Sequence, residues 1–163
     1  MRSTRTRGEL GVTPTATITR PGIRTASQHR AYTSLDLSFV RGSGSTAGTI
    51  TETDQVWPQR IRRIIRARLM HWSRPDLTDS AELLATELVT NALKHGCGDL
   101  GVRMYPTADR LRIEVRDGSH EFPVPRTAAP DDEDGRGLLI VIATAEDWGV
   151  SHDGTTTWCT LLL

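Results

Sequence analysis

Several kinds of residue are scarce in this sequence, and each shortage narrows the possible functions. Its two cysteines, Cys97 and Cys159, have no metal-ligand spacing, so a zinc site or a disulfide framework is not indicated. No apolar run approaches the roughly 18 residues that span a bilayer. The arginine-rich start is followed by no apolar stretch of the kind found in a secretory signal. We therefore expect a cytoplasmic protein with reduced thiols and no membrane segment.

Apolar periodicity is missing from the first part of the chain. Residues 1–33 are rich in Thr, Arg, Ser and Gly, which predicts a disordered basic tail before a domain at 34–163. Such a tail could touch nucleic acid or another acidic surface, but a solvated tail is the preferred interpretation. An organellar transit peptide is a further alternative. The whole chain has a formal net charge of zero, and we do not expect direct nucleic-acid binding.

What the sequence does contain is a ladder of polar residues in the segment ELLATELVTNALKHG. Glu87, Asn91 and His95 are spaced by four, which places them on one face of a helix. The opposite stripe is apolar and is predicted to face a core; it comprises Ala81, Leu84, Ala85, Leu88 and Ala92. A carboxylate, an amide and an imidazole in one column suit the binding of a metal-bound anion and the activation of an oxygen nucleophile. The alternative is a solvated helix face.

Two later motifs add to the ladder. An alternating strand ends in Asp117-Gly118, and the turn Gly135-Arg136-Gly137-Leu138 leads into an apolar helix. Each is weak alone, since an Asp after a strand is common in turns. In this order within one domain, the three segments resemble the N, G1 and G2 boxes of the GHKL ATPase superfamily. The wording ELVTNALKHG is most similar to the branch of anti-sigma-factor serine/threonine kinases. The likeness covers roughly residues 35–163.

The remaining pattern predicts an α+β fold. Leu35, Leu37 and Phe39 alternate as a first strand, and a helix with Pro58 in its first turn follows to about Trp72. The motif helix is expected to begin at a cap, Asp79 or Thr78, and to stop at 96–98. Later elements are strands at 100–105 and 111–116, a helix at 137–145, and strands at 147–151 and 156–162. Helices on one face of a mixed, mostly antiparallel sheet form a two-layer α/β sandwich. The resemblance implies the same architecture, the Bergerat ATP-binding fold.

The first long helix also has a surface of one sign. It carries a run of arginines without an acid among them: Arg60, Arg62, Arg63, Arg66 and Arg68. Like charges at steps of three or four repel one another by a few tenths of a kcal/mol per pair, roughly. An acidic partner would relieve this repulsion, and ordinary solvation with screening is the alternative.

The resemblance assigns roles to the ladder and to the G1 aspartate. Asn91 is expected to be the Mg²⁺ ligand, because magnesium prefers hard oxygen atoms and keeps several waters. Glu87 is expected to be the general base, with the orientation of a water or the capping of a neighbouring group as the alternative. Asp117 would accept a hydrogen bond from the adenine amine and thereby select adenine over guanine. His95, the last residue of the ladder, is included among the nucleotide-binding candidates.

The glycine motif at 135–138 is expected near the phosphates of the nucleotide, and Thr156 is expected near its adenine base. Gly135 and Gly137 would let the backbone approach the phosphates at the start of a helix. Arg136 would reach the phosphates or pair with the neighbouring acids at 131–134, and Leu138 completes the motif. Thr156 matches a threonine that supports adenine through water in the family, although its neighbours are also threonines.

The chain departs from the family at the G1 box. The family reads Asp-x-Gly-x-Gly, whereas Ser119 and Glu121 replace the two later glycines here. Those glycines begin a mobile lid in the family, so their loss bears on lid geometry and ATP affinity. His120 between them is interpreted as a solvated residue.

The resemblance implies a regulatory protein that binds Mg²⁺ and ATP and phosphorylates a serine or threonine of an antagonist protein. The resemblance implies a sigma factor as the second protein partner, and a homodimer is possible. Two alternatives stay open. One is a catalytically degenerate module that acts by protein contact through the arginine helix. The other is a free-standing histidine-kinase-type ATPase domain.

Overall fold

The computed structural model describes residues 32–42, 48–120 and 136–163. The strands are β1 (Leu35–Phe39), β2 (Leu100–Pro106), β3 (Arg110–Arg116), β4 (Asp147–Val150) and β5 (Thr156–Leu162). The α-helices are α1 (Glu52–Gln55), α2 (Trp57–His71), α3 (Thr78–His95) and α4 (Arg136–Thr144), and a 3₁₀ turn covers Pro75–Leu77. The predicted tail at 1–33 falls almost entirely outside the described residues, and its boundary stays a prediction.

The five strands form one open sheet in the order β1-β2-β3-β5-β4, and all four pairings are antiparallel. The alternation of side chains sends every second residue of β2 and β3 into the core, such as Val102 and Val115, which are register partners. The long helices pack on this face, with α3 in contact with β2, β3 and β5. The predicted two-layer α+β sandwich is confirmed, with an antiparallel rather than mixed sheet in the described part.

Helix α2 packs through its apolar side on α3. Its residues Ile61, Ile65 and Leu69 are fully buried, and Pro58 lies in the first turn as predicted. The ring of Trp57 stacks on Phe39 of β1 with centroids 4.1 Å apart. These contacts fix α2 against the first strand and against the helix that carries the polar ladder.

The predicted cap of the motif helix is wrong. α3 begins at Thr78 directly after the 3₁₀ turn, and neither Thr78 nor Asp79 provides a side-chain cap, since the N-cap position is Leu77. The backbone enters the helix from a preceding turn of similar curvature, so an extended capping residue is not needed. The short helix α1 was not predicted at all. Its Asp54 is buried, and the carboxylate accepts a hydrogen bond from the Gly42 backbone at 2.9 Å.

The arginine surface of α2 is paired with an acidic residue of the neighbouring helix α3. Glu82 of α3 is 5% exposed and accepts hydrogen bonds from Arg66 Nε at 2.6 Å and Arg66 Nη2 at 3.1 Å. Arg62 Nε lies 3.7 Å from the same carboxylate. Part of the predicted repulsion is therefore relieved internally. Every helix in the described ranges is too short or too polar to traverse a lipid bilayer.

Candidate functional site

The polar ladder lies along one side of α3. Glu87 and Asn91 are half-buried, and His95 is exposed at the last helical position. On the opposite side, the apolar stripe is buried throughout, with 4% exposure at most; it comprises Ala81, Leu84, Ala85, Leu88 and Ala92. The predicted division of this helix into a core face and a polar face is confirmed.

The first turn of α4 lies directly on this ladder. A methyl group at Gly137 would lie 2.7 Å from Glu87 Oε2 and 3.2 Å from Asn91 Oδ1. A side chain at this position would make the Glu87 carboxylate move aside and the Asn91 amide give by a few tenths of an ångström, so glycine lets both groups keep their positions. The start of a helix carries free N–H groups and partial positive charge, which suit a phosphate group. Two of the three predicted motifs thus meet at one place.

The other residues of the glycine motif take different positions. Arg136 begins α4 and is exposed, whereas Leu138 is 6% exposed and belongs to the hydrophobic core. The Leu138 side chain therefore anchors the turn by packing with the core. Gly135 and the acids at 131–134 lie outside the described residues.

Glu87 has the electrostatic character of a proton acceptor. Burial raises the pKa of its carboxyl above the ordinary range, and the positive charge of Lys94 opposes the rise. A carboxylate that holds a proton more readily is a stronger base toward a hydroxyl group. The same burial makes ionisation of Glu87 costly in the absence of a nearby cation.

The G1 aspartate lies at the end of β3, beside the end of the motif helix. The backbone carbonyl of Asp117 accepts hydrogen bonds from the N–H groups of Cys97 at 3.2 Å and Gly98 at 3.0 Å. A Cβ at Gly96 would clash with the Ala92 carbonyl and would lie 2.6 Å from Asp117 Cβ, so a glycine is required at this position. Backbone hydrogen bonds thus join the turn after α3 to the turn after β3.

Burial also governs the Asp117 carboxyl. It raises the pKa of this group, while hydrogen bonding from the Ser119 backbone and the charges of His95 and Arg41 work against the rise. The Ser119 N–H donates to Asp117 Oδ1 at 2.9 Å, and Ser119 is 7% exposed. The residue that replaces a family glycine is therefore folded back onto the aspartate.

The threonines after Gly154 are distinguished by the strand register. Thr156 is the register partner of Arg116, and Asp117 N–H donates to the backbone carbonyl of Thr155 at 3.1 Å. Thr155 is buried, and its hydroxyl donates to Asp153 Oδ2 at 3.0 Å. The register places Thr155 beside Asp117. That Thr156 supports the adenine base of the nucleotide stays a prediction.

The oxygen atoms near Gly137 fit a magnesium ion that arrives with phosphate. The described residues hold no cluster of three or more His, Cys, Asp and Glu side chains suited to a resident metal. Asn91 Oδ1 and the Glu87 carboxylate supply hard oxygen atoms next to the first turn of α4. Magnesium usually takes one or two protein ligands and completes its shell with water and phosphate.

Three structural neighbours of these motifs were missed by sequence reasoning. Arg41 is buried against the end of α3, Thr155 lies next to Asp117, and Glu82 holds Arg66. Each contact joins segments that are distant in the chain, and the choice of Thr155 over Thr156 depends on the strand register. Hydrophobic periodicity reveals neither. A groove of about 290 Å³ in the described part lies away from the ladder, along α2; it is lined by Gln59, Arg62, Arg63, Arg66 and Glu82.

Comparison with known families agrees with this geometry. A family model described as the histidine kinase-like ATPase domain matches residues 53–161, more than half of the chain. The matched region contains the ladder, the G1 aspartate and the glycine motif. The chain therefore belongs to the histidine kinase-like ATPase domain family of the GHKL superfamily, whose members bind ATP. A search of curated proteins finds no significant match.

Proposed function

We propose that this protein is an anti-sigma factor with serine/threonine kinase activity, which transfers the γ-phosphoryl group of ATP to an antagonist protein. The observation that carries the proposal is the close approach of Gly137 to Glu87 and Asn91, whose side-chain oxygens would lie 2.7 Å and 3.2 Å from a Cβ at position 137. This approach brings the proposed phosphate-binding turn of α4 next to a carboxylate whose pKa is raised by burial. The wording ELVTNALKHG supports the serine-kinase branch rather than the histidine-kinase branch of the family.

In this proposal the nucleotide lies between two groups of residues. Asp117 accepts a hydrogen bond from the adenine amine, and the first turn of α4 faces the phosphates. Asn91 holds the Mg²⁺ ion, which when bound offsets the negative charge of the phosphates. His95 and Arg136, at the ends of the two helices, flank the bound nucleotide.

Glu87 takes the proton during transfer. The hydroxyl oxygen of the acceptor serine or threonine forms a bond to the γ-phosphorus as the bond to the β,γ-bridging oxygen breaks. The hydroxyl proton passes to the Glu87 carboxylate, and ADP leaves. The raised pKa of Glu87 supports this role, because a stronger base accepts the proton with less cost.

Binding and transfer are tested separately. Calorimetry with MgATP is expected to show Mg²⁺-dependent binding that is lost in Asn91→Ala and Asp117→Ala. Glu87→Gln is expected to bind MgATP while losing at least about a hundredfold in phosphoryl transfer, as removal of a general base does. Transfer is measured with γ-³²P-labelled ATP and a panel of anti-sigma-factor antagonists. Absence of MgATP binding by the wild type at millimolar concentration contradicts the proposal as a whole.

A second function, protein contact without catalysis, is favoured by the groove along α2. Arg62 and Arg63 are exposed there, and the single acid, Glu82, is already bonded to Arg66. The groove keeps an excess of positive charge that an acidic segment would complement. An oligo-glutamate peptide is expected to bind the wild type and to bind the Arg62→Ala, Arg63→Ala double variant more weakly. MgATP binding without transfer to any antagonist, together with peptide binding, would favour this function over the kinase.

A further inference from the structure

A buried cation lies at the C-terminal end of the motif helix. Arg41 follows β1 and is 9% exposed. Its Nη1 donates to the Gly96 carbonyl at 2.6 Å, and its Nη2 donates to the Leu93 carbonyl at 2.6 Å and to the Thr49 carbonyl at 3.3 Å. The last carbonyl groups of a helix lack intrahelical donors and carry partial negative charge. The Arg41 guanidinium supplies α3 with hydrogen-bond donors for these carbonyl groups and with a positive charge that offsets their partial negative charge.

The hydrogen bonds to these carbonyl groups satisfy the Arg41 guanidinium only in part. Arg41 forms no ion pair with a carboxylate in the described part of the chain, and its buried Nε has no hydrogen-bond acceptor there. A buried charge without a carboxylate partner is expensive, whereas a neutral amide or a water would satisfy carbonyl groups at lower cost. The guanidinium thus stabilises the end of α3, and its charge also acts on the Asp117 carboxyl, whose pKa is raised by burial and lowered by this charge.

Gly96 connects Arg41 to Asp117, the proposed adenine-binding residue. Gly96 accepts from Arg41 on one side, and on the other side its α-carbon lies so close to Asp117 that a Cβ would be 2.6 Å from the Asp117 Cβ. The next two N–H groups, of Cys97 and Gly98, donate to the Asp117 carbonyl. Arg41 is therefore separated from Asp117 by a single residue, and both turns depend on where Gly96 is held.

We propose that Arg41 is a positioning residue for base recognition, which holds the Gly96 turn and thereby places the Asp117 carboxylate for the adenine amine. The inference rests on the proposed role of Asp117 in nucleotide binding. The positive charge acts in the same direction, because it favours the ionised carboxylate that accepts the hydrogen bond. Arg41 itself does not contact the nucleotide in this proposal.

The test compares two nucleotides that differ at the atom Asp117 would bind. ATP has an amine at position 6 of the purine, and ITP has a carbonyl there. Arg41→Met is expected to weaken ATP binding by about tenfold, as for a displaced charge-assisted hydrogen bond, and to change ITP binding little. Arg41→Lys, which keeps the charge, is expected to recover part of the preference for ATP. Arg103→Met, which removes an arginine paired with Asp36 on the exposed face of the sheet, serves as the matched control.

Each outcome of the calorimetry is decisive. Equal loss of ATP and ITP affinity in Arg41→Met would overturn the proposal and leave Arg41 a structural cap of α3. An unchanged preference for ATP in a folded Arg41→Met protein would overturn it as well. If Arg41→Met does not fold, the ratio of ATP affinity to ITP affinity in Arg41→Lys decides alone. A ratio as large as that of the wild type would show that the paired donors of the guanidinium are not needed. A wild type that does not distinguish ATP from ITP removes the base role of Asp117, and the proposed function fails at that step rather than at Arg41.

Discussion

Gly137 and Glu87 are in direct contact across the interface between α4 and α3. The space at the Gly137 α-carbon ends at Glu87 Oε2, which would lie 2.7 Å from an added methyl group. The two residues are 50 positions apart in the sequence and belong to different motifs. Their contact is the reason that the glycine motif and the polar ladder form one site.

Alanine at position 137 tests this contact. Alanine normally favours a helix over glycine by about 1 kcal/mol. In Gly137→Ala the Glu87 carboxylate has to move aside, which the end of a flexible side chain does at small cost, and the Asn91 amide has to give by a few tenths of an ångström. We therefore expect the gain in helix propensity to be cancelled, with a change in stability of less than about 1 kcal/mol. MgATP binding should fall, because Glu87 and Asn91 are displaced. Urea denaturation and calorimetry measure the two effects.

Gly101→Ala is the matched control, because its Cβ would meet its nearest neighbour at an ordinary 3.7 Å. A Gly137→Ala protein with unchanged ATP affinity would contradict the close packing.

Much of the fold was predictable because its core follows simple periodicity. The apolar stripe of α3 and the alternation of β3 each require only one segment of sequence to recognise. The glycine that stops α3 was also predictable, although its reason was not. Gly96 has extended backbone angles, and a Cβ there would clash with the Ala92 carbonyl of α3 and with Asp117, which is 21 residues away in the sequence.

Features that depend on two distant segments were not predictable. The bond from Arg66 to Glu82 joins two helices, so α2 read alone appears to lack any acid. The cap of α3 was misjudged because the 3₁₀ turn at Pro75–Leu77 replaces it. The role of Arg41 could not be predicted, because a single arginine after a strand has no distinctive sequence pattern and only the fold brings it to the end of α3.

Removal of the Glu82 charge should expose the repulsion among the arginines of α2. Glu82→Gln keeps the size of the side chain but removes the acid that Arg66 and Arg62 share. We expect a lower urea midpoint at about 20 mM salt and a smaller deficit at about 500 mM, where screening weakens the repulsion. Asp76→Asn removes an exposed pair with Arg74 and serves as the control. A deficit in Glu82→Gln that is independent of salt would show lost packing instead.

The two cysteines should differ sharply in reactivity. Cys159 is buried, and burial raises the pKa of its thiol to about 12, whereas Cys97 is exposed beside Asp117. Since the thiolate is the reactive form, a disulfide reagent should modify one thiol in the native protein and a second only on unfolding. MgATP should slow the reaction of Cys97, because the proposed base site adjoins it. Cys97→Ser provides the control. Equal labelling of Cys97 with and without nucleotide would contradict the placement of the adenine base beside Asp117.

Asp117 should make the nucleotide-free protein less stable as the pH rises. Because burial raises its pKa above the ordinary value of about 3.8, the folded protein binds this proton more readily than the unfolded chain. Its contribution to the free energy of unfolding therefore falls as the pH rises from 3.8 through the raised value. Asp117→Asn cannot lose a proton and keeps an oxygen for the Ser119 N–H, so it should be more stable than the wild type at neutral pH and lose this advantage in acid. It should also lose ATP affinity.

Asp153 is the control of opposite sign. Hydrogen bonds from Ser151 and Thr155 lower its pKa to about 2, so its contribution is present above pH 3.8 and disappears as the pH falls toward 2. Asp153→Asn should therefore be less stable than the wild type at neutral pH, with the difference vanishing in acid. Urea denaturation of both variants across this range separates the two aspartates. A neutral-pH loss of stability in Asp117→Asn would mean that hydrogen bonding to the ionised carboxylate outweighs burial. The site would then be built to hold that charge even without a nucleotide.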